Sequence, residues 1–447
     1  MPEQETIDTH GKALSLNLDD TIFGSFAEIG AGQEVARWFL LVGGASGTVA
    51  KTISAYDKEV SDQLYGAGTR YVSKQRLQAM LETEWKQLLG QLQATRGADT
   101  KFFTFVDTIS ARNYAGTNDC HGWVGLRFQR QAEETTNDVI LHINLRDPSN
   151  AQQQEAVGIL GVNLLYAAYH APASQREFLA SVFEELGLQR LEIDYVECTG
   201  PAFGRWNRDE LHAHLVVGGY AEAVVFPVNN ELVPSNELLY KRALVLVPGK
   251  FNSVDPVYAS LIEDTLAQLP EEELRESKGG LGLFCLSVAD GSTLDVDTSV
   301  RDIVEHVVSL KPLGYGVMLF RGQQLYTMSA FANRYTKSRI HFAMGLTVFV
   351  RILEDSYKHL AGTLLEGIAR LLTQNVRLSV YPMPAEELRK RAAAARLTGW
   401  IWKETDGVVS ADQLHPSGPL DHLYQYLLES KLVLVGRPVT KQPSVLE

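Results

Sequence analysis

The sequence predicts an α/β fold: parallel strand-helix alternation preceded by a mainly helical N-terminal region with a small sheet. Three observations carry this. Eight apolar stretches of strand length follow residue 138, amphipathic segments of helix length fill most gaps between them, and 45% of residues are hydrophobic against 21% charged. Parallel neighbours need a long connection, which the intervening helices supply. Eight such strands over roughly 240 residues match a (β/α)8 barrel in count and length, so barrel-like closure is slightly favoured over a doubly wound sheet. Hydrophobic periodicity does not itself report closure. Either arrangement puts ligand sites beyond the carboxyl ends of the strands.

Residues 1–22 carry acids and no apolar run, so they read as an exposed segment that is neither a secretory signal nor a transit peptide. Residues 23–137 form the helical region with its small sheet. Within it, residues 26–65 read as two helices broken by Gly43-Gly44-Ala45-Ser46-Gly47. A third helix over 73–92 has Ser73 as its N-cap and Leu77, Met80, Leu81, Trp85 and Leu88 at helical spacing. Runs rich in aromatic and branched residues at 101–109, 123–128 and 139–145 predict the small sheet.

Residues 138–384 form the parallel domain, with strands expected at 139–145, 191–196, 223–226, 243–247, 281–288, 315–320, 340–344 and 376–381. The greasiest window, 156–169, is about half the length that crosses a bilayer and contains Asn163, so it predicts a buried helix. Residues 385–447 read as a C-terminal helical extension with the aromatic pair Trp400 and Trp402.

Charge and cysteine content narrow the partners. The formal charge of −13 repels a phosphate backbone, which excludes nucleic acid as the main partner. No membrane span is expected. Three cysteines, Cys120, Cys198 and Cys285, have no metal-like spacing and suit a reducing cytoplasm, so no metal is expected and none of the three is expected to be bridged.

Four places could carry chemistry. Glu28-Ile29-Gly30-Ala31-Gly32 imitates a glycine-rich cofactor turn, where small residues let backbone amides approach a ligand, but Val35 stands where a dinucleotide turn has its third glycine. Its Glu-x-Gly-x-Gly core resembles the first motif of S-adenosylmethionine-dependent methyltransferases. Gly44, Ser46, Gly47 and Thr48, with Lys51 following, form a second loop able to hold an anionic group; a helix C-cap joined to an N-cap is the structural alternative. His121, beside Asp119 and Cys120, is the candidate acid/base residue, against a turn whose Trp123 anchors the core. Lys250 and Arg321 stand at expected strand ends, where a phosphate or carboxylate would bind.

Residues 24–39, 47–57, His121-Gly122-Trp123 and 158–164 resemble a family of soluble bacterial proteins of similar length. Automatic labels attached to that family, TonB-dependent receptor and nicotinate-nucleotide adenylyltransferase, do not fit these residues. The first implies an exported barrel of amphipathic strands, which this sequence lacks. The second rests on a Gly-Ser-Phe-Arg-Pro stretch that looks like the start of a nucleotidyltransferase motif. Here that place reads Gly249-Lys250-Phe251-Asn252-Ser253, and no histidine occurs between His214 and His306. The His-x-Gly-His that should follow is therefore absent.

Three functions stay open. The chain is expected to be a cytoplasmic enzyme or sensor that binds a nucleotide or other phosphorylated small metabolite, without a defined cofactor. Alternatives are a self-assembling or paralogue-partnered structural subunit, in line with an expected homo- or hetero-oligomer, and the methyltransferase.

Overall fold

A six-stranded mixed sheet and a seven-stranded, mainly parallel sheet organise the chain, in a computed structural model that describes residues 7–68, 70–170, 174–288, 296–354, 357–395 and 399–437. Two compact units result: Met1–Glu222 with Asp295–Arg301, and Ala223–Leu294 with Asp302–Glu447.

The first unit has strands β1 (Ile22–Ile29), β2 (Val49–Ile53), β3 (Lys101–Ser110), β4 (His121–Phe128), β5 (Asn137–Leu145) and β6 (Leu191–Thr199), in the order β2-β1-β3-β4-β5-β6. β1 runs parallel to β2 and β3, and the remaining pairs are antiparallel. Its helices are α1 (Thr9–Asn17), α2 (Glu34–Val42), α3 (Lys58–Tyr65), α4 (Lys74–Arg96), α5 (Asn150–His170), α6 (Gln175–Val182) and α7 (Arg208–Val217).

Helices cover both faces of this sheet. α4 starts where expected: the Ser73 hydroxyl accepts from the Arg76 amide at 3.2 Å, and Leu77, Met80, Leu81 and Trp85 are buried. It packs so closely on β4 that a Cβ at Gly125 would fall 2.9 Å from Leu81. On the opposite face, α5 is buried almost all round, as its unbroken apolar character demands. A Cβ on Gly161 would meet Val35 of α2 at 2.3 Å, so glycine is what lets the two helices approach.

Asn163 is the polar exception inside α5. It accepts from Lys12 Nζ at 2.8 Å and donates to the carbonyls of Val182 and Glu184; Lys12 also pairs with the Glu184 carboxylate at 2.6 Å. A buried amide that satisfies its hydrogen bonds in this way ties α1, α5 and the end of α6 together.

The second unit has β7 (Ala223–Phe226), β8 (Ala243–Pro248), β9 (Gly280–Val288), β10 (Gly316–Arg321), β11 (Ile340–Gly345) and β12 (Val376–Tyr381). Two short ribbons pair β13 (Met383–Pro384) with β15 (Val408–Val409) and β14 (Trp400–Trp402) with β16 (Leu414–Pro416), and β17 (Val433–Val435) follows. The main sheet has the order β17-β12-β11-β8-β9-β10-β7, parallel throughout except for β7 at one edge. Helices α8 (Ser235–Leu238), α9 (Pro256–Ala267), α10 (Glu271–Glu276), α11 (Val296–Leu310), α12 (Leu325–Tyr335), α13 (Leu346–Glu354), α14 (Thr363–Leu371), α15 (Ala385–Ala395) and α16 (Leu420–Glu429) lie along the connections. Phe342, Met344, Phe349, Leu378 and Tyr424 belong to its core.

The α/β alternation is thus present, and two expectations about its form are corrected. The sheet is open rather than a barrel, because the chain winds from β8 through β9 to β10 and then returns to place β11 on the other side of β8, which leaves two edges. The stretches 139–145 and 191–196 are not parallel strands. They lie antiparallel in the first sheet, and the division between units falls at Glu222 rather than near residue 137.

Smaller corrections concern the start of the chain. From Thr9 the stretch 1–22 is not an exposed tail but helix α1, capped by Asp8 and burying Ala13 and Leu16, followed by the start of β1; residues 1–6 lie outside the described residues. Residues 26–65 hold the two expected helices, α2 and α3, with α2 ending at the glycine break, but they are shorter than expected because strands take the rest. Phe26 sits in β1, which tolerates Gly24 because a Cβ there would strike the Phe103 carbonyl at 2.1 Å, and β2 separates α2 from α3.

Candidate functional site

The first sheet assembles a buried chain of polar side chains on its α4 face. His121 opens β4, Trp123 follows two residues later, and His142 is the register partner of Trp123 on β5. The β5–β6 pairing shifts register between His142 and Ile143, so Tyr195 pairs with His142, Ile193 pairs with Ile143, and Asp194 is the extra residue. A bulge of this kind re-aims a side chain. Here the Asp194 carboxylate lies 2.5 Å from His142 Nδ1, and His142 Nε2 lies 3.1 Å from His121 Nδ1.

Donor and acceptor roles follow from the chemistry. With the Asp194 carboxylate as acceptor, a neutral His142 donates from Nδ1 and accepts through Nε2 from His121 Nδ1–H. That tautomer puts the His121 lone pair on Nε2. Burial, the neighbouring His142 and Arg70 lower the His121 pKa to about 4, which keeps the ring neutral near pH 7. The three side chains form a carboxylate-imidazole-imidazole chain, with the Asp194 carboxylate orienting the His142 ring. Trp123 stands edge-on to His142 at 5.0 Å and to Tyr195 at 5.5 Å. The Tyr195 hydroxyl donates to Glu197 and accepts from Lys74 at 2.8 Å.

The glycine turn at Gly30 and Gly32 connects β1 to α2. Both glycines have positive φ, +101° and +80°, and a Cβ on Gly30 would fall 1.9 Å from the Ile109 carbonyl. The amides at the start of α2 are engaged by the protein's own carboxylate: Val35 N–H and Ala36 N–H each donate to Glu28 at 2.9 Å. An anionic cofactor at this helix end would have to displace Glu28, and the S-adenosylmethionine reading meets the same occupancy.

In the second loop, Gly43 and Gly44 take positive φ as α2 ends, and Ala45–Gly47, which includes Ser46, forms a single 3-10 turn. Thr48 Oγ1 donates to the Leu16 carbonyl at 3.3 Å. Lys51 pairs with the buried carboxylate of Glu84 at 2.5 Å and donates to Gln87 at 3.0 Å. Gly44, Ser46, Gly47 and Thr48 are therefore close along the chain, while the Lys51 charge is turned toward α4.

Lys250 is exposed just beyond β8, and Arg321 ends β10. β9 lies between those strands, so the two are two strand spacings apart, roughly 10 Å, on the same edge. His121 lies in the other unit. Among the described residues no group of three or more His, Cys, Asp or Glu is placed to hold a metal ion, and the three cysteines are free thiols.

Sequence reasoning singled out His121 but not its partners. His142 was visible as a polar residue in the middle of a mainly apolar stretch, Val139 to Ile143. Asp194 left only a weaker trace, a carboxylate inside the buried run of β6.

Fold and site together define a mixed α/β protein of two units, one with a carboxylate-imidazole-imidazole chain and one with a doubly wound sheet. No family model matches the chain, and no curated protein does. Solved structures with a partial likeness include the competence/damage-inducible protein CihA from Agrobacterium tumefaciens, 20% identical with a TM-score of 0.28, covering 36% of this chain and 94% of that one. A competence-damaged protein (CinA) superfamily protein from Enterobacter cloacae is 11% identical with a TM-score of 0.28, over 38% of this chain and 96% of its own. A member of that superfamily from Escherichia coli is 12% identical with a TM-score of 0.26, over 38% and 92%. Among the described residues, no helix is long and apolar enough to cross a membrane.

Proposed function

We propose that the chain is a cytoplasmic protein that binds a small phosphorylated metabolite at the carboxyl edge of its doubly wound sheet, beside Lys250. The observation that supports this is the reversal of strand order at β8, with β9 on one side and β11 on the other. At such a switch point the connections leaving two adjacent strands diverge to opposite faces, which opens a crevice outside the strand ends. Lys250 follows β8 by two residues, and Phe251 anchors the turn: its ring is buried and its carbonyl is bonded to His306 at 2.9 Å. Arg321, two strands away, offers a second positive charge to a ligand that spans the edge.

The test is a thermal-shift and calorimetric panel of nucleotides and sugar phosphates on the full chain, repeated with Lys250→Gln. A ligand that raises the melting temperature of the wild type and loses that effect in the variant supports the reading. If no compound gives a shift that depends on Lys250, the reading is refuted.

A second reading, self-assembly, is favoured by one feature. Leu40, Leu41, Tyr56 and Val60 are exposed at 57%, 60%, 71% and 46% along α2 and around the start of α3. Adjacent exposed apolar side chains, as Leu40 and Leu41 are on α2, fit an interaction surface. Sedimentation of the wild type against the Leu40→Glu/Leu41→Glu double variant tests it: an oligomer that dissociates in the variant supports assembly, and a wild-type monomer refutes it.

A further inference from the structure

At the amino-terminal edge of the second sheet, the end of the strands away from Lys250, a cavity of about 970 Å³ is bounded by the segments that lead into β9, β11 and β12. Its wall carries Lys337, Arg339, Arg370 and Arg377, with the acids Glu273 and Glu276, and is otherwise mainly neutral polar residues. Among the described residues it is lined by no aromatic and no large apolar side chain. In a chain of net charge −13, four cations gathered around one opening need a cause.

Helix ends account for part of it. Lys337 donates to the Asn333 carbonyl at 2.9 Å near the end of α12, and Arg370 in the last turn of α14 pairs with Glu366 at 2.6 Å. Both complement the negative end of a helix dipole. Arg377 is different. It donates to the carbonyls of Gln374 and Val376, at 3.1 and 2.7 Å, and these hold the guanidinium without neutralising it.

Arg339 precedes β11 by one residue, and Arg377 lies opposite His341 across the β11–β12 pairing. Burial and the nearby Arg339 charge lower the Arg377 pKa, and both guanidiniums help hold His341 down at about 4. The Arg339 Nε bond to Glu273 Oε1, 2.9 Å, leaves the other carboxylate oxygen, Oε2, out of water and without a hydrogen-bond partner among the described residues. The wall therefore holds an excess of positive charge beside a buried acceptor that lacks a donor.

We propose that this cavity binds a small hydroxylated phosphate ester, of the sugar-phosphate class, with the phosphate at Arg339, Arg377 and Lys337 and a hydroxyl donating to the Glu273 carboxylate, whose side chain is part-exposed on the wall. Guanidinium forks match phosphate oxygens, and a carboxylate accepts from a hydroxyl. A nucleotide fits less well, because the wall offers no ring on which a base could stack. The volume is at the upper end of the usual small-ligand range. This site is independent of the strand-end reading, since Lys250 lies at the opposite end of the same strands.

The experiment is calorimetry on the full chain at low ionic strength with glucose 6-phosphate, inorganic phosphate, citrate and ATP as probes. Saturable binding of glucose 6-phosphate is expected, weakened at least about tenfold by Arg377→Gln. Glu273→Gln is expected to weaken glucose 6-phosphate but not inorganic phosphate. Should Arg339→Gln fail to fold because it orphans Glu273, Arg377→Gln and Lys337→Gln carry the test. No saturable binding of glucose 6-phosphate, or binding indifferent to Arg377 and Lys337, overturns the proposal. Citrate or ATP binding as tightly, with the same dependence on Arg377, overturns the ligand class.

Discussion

Glu28 and Asp107 are register partners across the parallel pairing of β1 and β3, and both carboxyls are buried. Asp107 accepts the Ile29 amide at 3.0 Å while Glu28 accepts two amides of α2. Two acids are thus held at one place where water cannot separate their charges. Burial outweighs the amide bonds and raises Glu28 to about 7, and burial together with the Glu28 charge raises Asp107 well above its ordinary value.

The sign of the resulting pH effect is fixed. The folded state keeps a proton that the unfolded chain gives up near pH 4.5, so this stabilisation is complete below that value and is lost as pH rises through about 7. Asp107→Asn keeps the acceptor for Ile29 and removes the like charge. It is expected to raise the melting temperature more at pH 7.5 than at pH 5, and equal effects at both would contradict the carboxyl-pair account.

Buried histidines act in the opposite sense. His121, His212 and His341 are each lowered to about 4 from 6.5, chiefly by burial. Their unfolded forms bind protons first, so the stability they contribute is present above pH 6.5 and is lost as pH falls toward 4. Because the carboxyl pair gains over part of the same range, the wild-type profile is flatter than either variant profile. His341→Asn, which retains a donor for Ser379, is expected to reduce the loss of melting temperature between pH 6.5 and 4.5.

Gly30→Ala is expected to destabilise the first unit by about 2 kcal/mol or more, because its φ of +101° and the Ile109 carbonyl at 1.9 Å from a Cβ act together. A denaturant melt measures this. Gly43→Ala, also at positive φ but with open space around the Cβ, is expected to cost less.

Asn163→Leu keeps the branched shape inside α5 and strips Lys12 Nζ of one acceptor and two carbonyls of their donor. The expected loss is about 2–4 kcal/mol, since buried polar groups are left unpaired. Asn163→Asp, which keeps an acceptor for Lys12 and loses only the donor to the two carbonyls, is expected to lose less of that stability in the same melt.

Much of this was legible locally. Ser73 and the Leu77 to Leu88 spacing define α4, the apolar window around Asn163 is the core of α5, and the strands from Ala243 onward stand close to where their composition puts them. Of the site, His121 could be singled out because imidazole chemistry is read from residue type. Asp194 could not, because a bulge exists only relative to the partner strand. Lys51 looked available for an anion until α4 supplied Glu84 from 33 positions away in the sequence.

By itself, the sequence determined the helix-and-strand alphabet, the α/β class and the acidic surface, since periodicity, capping and charge depend on neighbours a few residues apart. Tertiary structure decided that the second sheet stays open, that residues 139–145 and 191–199 join the first sheet antiparallel, and that Glu28 takes the amides a cofactor would need. Those outcomes depend on which distant segments pair and in which direction the connections wind. No local pattern encodes that choice, because the same alternating strand packs equally well beside a parallel or an antiparallel neighbour.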